Sequence, residues 1–330
     1  MITRRLLQSA VLAAILIPIW VHAEAPLKKV VFIPQWVPQA QFAGYYFAAE
    51  QGIYRKHGLD VTILSGGPQR LPPLDLLREG KADFATLWLS TGIQARAQGL
   101  NLMNIGQVLP RSALMLVAKK ARGIRSPSDI NGKKVGLWAP IFQLQARAFF
   151  KKYDLKVSII PQPYSVNLFL RDGVDVASAM WYNEYHTILA AGLNPEELTT
   201  FFFPEHGLNF PEDGLYVLGD RFKQDPEMCR SFVKASIEGW LGAFAEKEKT
   251  LDMVMKNLQR EHMPANRVHQ RWMLERMKDL ILPSDKSELS VKLLPRDYYR
   301  VATSLHSSGL IDLIPEFTSF YQDCSGHGTQ

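Results

Sequence analysis

Cysteine is almost absent: Cys229 and Cys324 are the two thiols among 330 residues. That is too few for a disulfide framework, so stability must come from a hydrophobic core, and spacing alone leaves open whether the two pair. No HExxH, CxxC, GxSxG or Walker A segment occurs, which removes the common sequence signatures of metal hydrolysis, thiol redox chemistry, serine hydrolysis and phosphate cradling. His57, His206, His262 and His269 are scattered without metal-ligand spacing. A large excess of either charge is missing too. The formal charge is +6, no basic stripe is interleaved with aromatics, and a nucleic-acid partner is not expected. The apolar run at residues 10–20 falls short of the roughly 20 residues a membrane span needs. There is no internal repeat, low-complexity tract or coiled-coil heptad, which excludes solenoids and fibres.

What is present begins with a targeting segment. Arg4 and Arg5 precede that apolar run, and Val21-His22-Ala23 offers a small-x-small cleavage site. Residues 1–23 are therefore read as a signal peptide cleaved near Ala23, with a mature chain starting at Glu24 and carrying +4 once Arg4 and Arg5 are subtracted from +6. No cysteine lies at the cleavage point, so a soluble periplasmic protein is expected rather than a lipid-anchored one. With 47% hydrophobic residues the mature chain can bury a large core, and chains of about 300 residues tend to divide into two lobes.

Strand and helix signals alternate from residue 30 onward. Residues 30–63 read as a strand ended by Pro34 and Pro38, a polar-aromatic loop, a helix and a second strand, with Gly52 and Gly58 allowing the reversal. Further helices are expected at 71–79, 90–98, 142–153, 167–171 and 185–191, with strands at 82–87, 104–108, 112–118, 134–138, 157–161, 174–180, 201–203 and 215–218. Everything after residue 226 reads as helical. The pattern predicts an α/β fold with mostly parallel sheets: lobe I from 24–118, lobe II from 119–214, and 215–330 completing lobe I with C-terminal helices. The charged, turn-rich segment 119–132 is expected to be the first crossing and residues 213–219 the return, so that two connections form a hinge.

In an open α/β sheet, ligands sit at the carboxyl ends of strands. The loop after the first strand carries Gln35, Trp36, Gln39 and Gln41, which suit a flat, hydrogen-bonding molecule, although Trp36 capping the core is the alternative. Trp88 and Ser90, Trp138, the segment Trp181-Tyr182-Asn183-Glu184, and Asp213 with Tyr216 lie at the other expected cleft-facing ends. Glu184 and Asn183 are expected to pair with a ring amine and ring nitrogen between the tryptophan faces; a carboxylate capping the following helix is the alternative. Gly67 and Arg70 are an expected anion contact. His186, two residues beyond Glu184, does not share its helix face, so the two make a poor acid/base dyad. No catalytic residue and no metal site are expected.

The phrases Trp36-Val37-Pro38, GIYRKHGLDVTIL, LREGKADFAT and PSDINGKKVGL together resemble the type 2 periplasmic solute-binding fold. More narrowly, they are similar to the branch containing thiamine-pyrimidine-precursor binding proteins of ABC importers and the related thiamine pyrimidine synthase. The resemblance implies a monomeric exported protein, without cofactor, that hands an aminopyrimidine or other small heteroaromatic to an importer permease. A synthase-like enzyme and a ligand-sensing domain docking on a membrane sensor are the alternatives it leaves. Where the synthase places its histidine this chain has Leu89-Ser90-Thr91, and where it places a run of cysteines this chain has residues 209–214, NFPEDG. Those departures remove soft metal ligands while leaving a pocket.

Overall fold

The computed structural model describes residues 26–326; the expected signal peptide lies outside them. Short apolar strands bounded by proline, glycine and polar turns alternate with helices, as the sequence pattern requires. The first part of the chain runs through β1 (Lys28–Ile33), α1 (Ala43–Glu50), α2 (Ile53–Lys56), β2 (Leu59–Ile63), α3 (Pro73–Arg78), β3 (Phe84–Trp88), α4 (Leu89–Ala97) and β4 (Leu102–Gln107). Gly52 and Gly58 adopt φ of 69° and 77°, left-handed values that reverse the chain between α1, α2 and β2. The second part comprises β5 (Leu114–Lys119), β6 (Lys134–Leu137), α5 (Leu144–Lys152), β7 (Ser158–Pro161), α6 (Asn167–Leu170), β8 (Val176–Met180), α7 (Glu184–Ala190) and β9 (Leu198–Phe202). The chain then returns through β10 (Asp213–Leu218) to α8 (Gly219–Gln224), α9 (Pro226–Ala245), α10 (Lys247–Arg260), α11 (Arg267–Ile281), α12 (Pro295–Ser307) and α13 (Phe317–Phe320).

These elements build two five-stranded sheets, ordered β2-β1-β3-β10-β4 and β7-β6-β8-β5-β9. The two-lobed α/β architecture is the expected one, with one addition and one correction. The sheets are mostly parallel as expected, but each carries one reversed strand: β1 runs parallel to β2 and β3, and β6 to β7 and β8, whereas β10 and β5 run antiparallel to both their neighbours. The reason is topological, since a strand entered directly from the other lobe starts at the edge where its neighbours end and must run back. The correction concerns boundaries. Leu114–Lys119, expected in lobe I, pairs with β8 and β9 in the second sheet, so the first crossing is residues 108–113 and not 119–132. Asp213 already pairs with Trp88 of β3, so the return crossing ends before it.

The core of the first lobe is aromatic. Phe232 of α9 lies against Phe84 with centroids 4.2 Å apart and planes 7° apart, stacks on Tyr54 at 5.4 Å, and meets Phe32 at 5.2 Å. At the far edge of that sheet, Gln322 N donates to Asn104 O (2.9 Å), so the C-terminal segment covers backbone groups that β4 would otherwise expose. Cys229 and Cys324 are both free and buried.

Candidate functional site

The two crossings run side by side. Glu212 N donates to Leu109 O (3.1 Å), and Val108 N and Leu109 N donate to Asp213 O (3.1 and 3.0 Å). The buried Glu212 carboxylate ties the pair together, Oε1 accepting from Ala113 N (2.6 Å), Ser112 Oγ (2.8 Å) and Leu114 N (3.2 Å). Asn209 adds a second tie, accepting from Ser112 N and donating to Pro110 O, both at 2.9 Å.

Beside these paired crossings the facing sheet edges line a cleft. Its first-lobe wall is Gln35, Trp36, Gln39, Gln41 and Trp88. Its second-lobe wall is Trp138, Phe142, Tyr164, Met180, Tyr182, Asn183 and Glu184. The loop after β1 is held to the sheet by Gln35 N donating to Thr86 Oγ1 (2.9 Å). Gly66 packs so closely beneath it that a Cβ there would sit 2.2 Å from Pro34 O; only glycine allows that approach. Trp36 meets Tyr164 edge to face at 4.7 Å and Phe142 at 6.4 Å, and Trp88 meets Phe142 at 4.8 Å, so aromatic edges from the two lobes touch across the cleft. The indole N–H of Trp138 is buried and has no hydrogen-bond partner among the described residues.

Glu184 opens α7 directly after the β8 turn and is buried. Its Oε2 accepts from Met180 N (2.9 Å) at the end of β8, and its Oε1 accepts from Asn183 Nδ2 (3.0 Å), so it ties the turn back to the strand and lines the cleft at once. Burial raises its carboxyl to about 7. Asp213 stands behind the glutamine wall, accepting from Gln35 Nε2 and, at 2.8 Å, from Gln41 Nε2, while Gln39 Nε2 donates to Gln41 Oε1 (2.6 Å). Asp213 is thus a support for the wall and not part of its lining.

Other expected site residues fall elsewhere. Ser90 lines a smaller adjoining pocket that shares Trp88 and Phe142 with the cleft. Tyr216 is buried in the lobe core against Gly92 and Phe320. Trp181 turns away from the cleft and packs on Phe202 (5.7 Å) and under the Arg276 guanidinium (5.0 Å). Of the expected segment 181–184, which leaves β8 as a turn, Tyr182, Asn183 and Glu184 line the cleft together with Met180 at the strand end, and Trp181 alone does not. Arg70 is exposed and pairs with Glu261 at 3.0 Å, and neither it nor Gly67 lines the cleft. Phe142 lies in the short helical turn Pro140–Phe142 just beyond Trp138, at an expected cleft-facing end, whereas Tyr164, which was missed, lies in a loop whose sequence carries no mark of the site.

Burial also pushes Asp213 up to about 7 and Glu212 up to about 8. With folded values above the unfolded ones, these carboxyls hold protons in the native state that the unfolded chain has released, so stability falls as pH rises from about 4.5 to 8. The ligand-free protein is therefore expected to melt highest near pH 5 and to lose on the order of a few kcal/mol by pH 8. Glu212→Gln should flatten that slope in a melting series across the same range. A slope that does not change would place Glu212 outside the titration.

Among the described residues no group of His, Cys, Asp or Glu is arranged to hold a metal ion, and no helix is long and apolar enough to cross a membrane. The chain is similar to the riboflavin-binding protein RibY of Chloroflexus aurantiacus, 24% identical over 249 residues that make up 71% of this chain and 68% of that one. It is also similar to the 4-amino-5-hydroxymethyl-2-methylpyrimidine phosphate synthase THI11 of Saccharomyces cerevisiae, 24% identical over 63% of this chain and 64% of that one. The chain thus spans about two thirds of the length of each of these relatives. In structure it is similar to the periplasmic aliphatic sulphonate binding protein SsuA of Escherichia coli, with a TM-score of 0.68 and 15% identity over 92% of this chain and 95% of that one. It therefore has the two-lobed fold of periplasmic substrate-binding proteins. Residues 39–250 match the model of the family described as NMT1/THI5 like, and the chain belongs to that family.

Proposed function

We propose that this protein, after export to the periplasm, binds an aminopyrimidine of the thiamine-precursor type in the cleft and delivers it to an ABC importer. The observation that carries this reading is the Glu184–Asn183 pair set among Trp36, Trp88 and Trp138: acceptor and donor side by side, with flat apolar faces around them. An aminopyrimidine presents the complementary edge, an amine next to a ring nitrogen, and the buried Trp138 N–H adds one more donor for a ring or side-group acceptor. A sulfonate suits the cleft poorly. Among the described residues lining it there is no lysine or arginine, so an anion would meet Glu184 without a counter-charge. Synthase chemistry is disfavoured on similar grounds, since neither histidine nor cysteine lines the cleft among the described residues.

The test is calorimetric titration and melting of the mature chain from Glu24 with 4-amino-5-hydroxymethyl-2-methylpyrimidine, riboflavin and an alkanesulfonate. The aminopyrimidine is expected to bind saturably and, at a hundred times its dissociation constant, to add about 2.7 kcal/mol to the folded state. Binding of riboflavin or the sulfonate alone would keep the binding role and replace the ligand.

A further inference from the structure

Helix α11 packs on residues 40–42 of the first lobe, where its buried Gln270 Oε1 accepts from Ala40 N (2.7 Å), and reaches across to α7 of the second. There Trp272 Nε1 donates to Trp181 O (3.0 Å), and the Arg276 guanidinium lies over both Trp181 (5.0 Å) and Trp272 (4.7 Å). In the same contact His186 Nδ1 lies 2.9 Å from His269 Nδ1, and His269 Nε2 lies 2.8 Å from Asn183 Oδ1. The four side chains form one line into the cleft: His186, His269, Asn183, Glu184.

The chemistry of such a line permits few proton arrangements. An amide oxygen only accepts, so His269 Nε2 must carry the proton, and His269 Nδ1 is then an acceptor that His186 Nδ1–H fills. With its oxygen occupied from behind, Asn183 turns its NH₂ toward Glu184 and the cleft. Were His269 protonated at Nδ1 instead, its bare Nε2 would call for the NH₂, and the amide would turn over to show its carbonyl.

We propose that His269, backed by His186, is a positioning residue that fixes Asn183 with its N–H edge toward the ligand and so makes the site select an acceptor beside an amine over the reversed pair. This deepens, and rests on, the aminopyrimidine reading. Because the line joins α11 of the first lobe to α7 of the second, the orientation is set from across the cleft.

The test compares two probes of nearly equal shape, 4-amino-2-methylpyrimidine and 2-methylpyrimidin-4(3H)-one, whose ring edges carry donor and acceptor in opposite order. Wild type should prefer the amino compound by roughly a hundredfold, the discrimination typical of a site whose buried polar groups would otherwise face like partners. His269→Phe should reduce that ratio at least about tenfold, and His269→Gln, whose amide can donate from the Nε2 position, should restore most of it. His186→Phe should shift the ratio the same way by less. If His269→Phe weakens both probes in proportion, the residue is merely structural and the proposal falls. A second readout needs no ligand: in ¹⁵N-histidine spectra of the free protein, His269 should be the Nε2–H tautomer in wild type, and the Nδ1–H tautomer there would overturn the proposal. Should neither probe bind wild type, the aminopyrimidine reading fails, and the tautomer measurement still decides whether His269 orients Asn183.

Discussion

Glu184→Ala is expected to weaken aminopyrimidine binding by roughly a hundredfold, since a charge-assisted hydrogen bond is worth about 1.5 to 3 kcal/mol and each 1.4 kcal/mol is tenfold in affinity. The loss is large because the amine left behind would be enclosed with no acceptor. Stability of the ligand-free protein should move little, because removing a buried carboxylate relieves a desolvation cost while stranding Met180 N and Asn183 Nδ2. The same group predicts a pH dependence. Its carboxyl sits at about 7 in the free protein, so affinity for the amine edge should fall as pH drops from 8 to 6 and the acceptor oxygen takes a proton. Calorimetry of wild type and variant at pH 6 and pH 8 checks both points. Equal affinity of the two proteins would take Glu184 out of the binding site.

Phe232→Ala should cost about 3 to 5 kcal/mol, the range for removing a fully buried phenylalanine ring, out of a total that is typically about 5 to 15. The ring is held between Phe84 of β3 and Tyr54 of α2, with Phe32 of β1 at its side, so three separate elements would have to move to fill the space. Tyr54 resists that movement, because its hydroxyl is hydrogen-bonded to Ser236 Oγ at 3.0 Å and Ser236 Oγ donates to Phe232 O at 2.7 Å. Urea unfolding is the measurement. A cost below about 1.5 kcal/mol would mean that the neighbours collapse into the cavity, as volume-conserving changes allow.

Much of this molecule is legible in its sequence where the signal is local. Pro34 ending β1, Gly52 and Gly58 turning the chain, and Pro73 starting α3 each act within a few residues, and the elements stand where those residues put them. The glutamine and tryptophan loop at residues 35–41, Trp88, Trp138 and the Asn183–Glu184 pair also lie at strand ends, which is why position along the chain was enough to find them. What was not legible depends on distance. β5 is an apolar extended stretch of ordinary composition, and nothing in it tells which sheet it joins until its partners β8 and β9 are known. Tyr216 and Arg70 have the chemistry of site residues, but one faces the core and the other solvent. His269 reads as an isolated histidine in the sequence and acquires its place only because α11 folds back across 86 residues onto Asn183.

The paired crossings carry a last consequence. Because residues 108–113 and 207–212 are bonded to each other and laced by Glu212 and Asn209, they bend as a single strip, like a door hung on one pin. Opening and shutting can leave every bond of that strip intact. Parting the lobes about that strip would break contacts at the lips: the edge-to-face contacts of Trp36 with Tyr164 and Phe142 and of Trp88 with Phe142, and the bonds from α11 to Trp181 and Asn183. Resistance to such opening would then lie at the rim of the cleft and not in the strip.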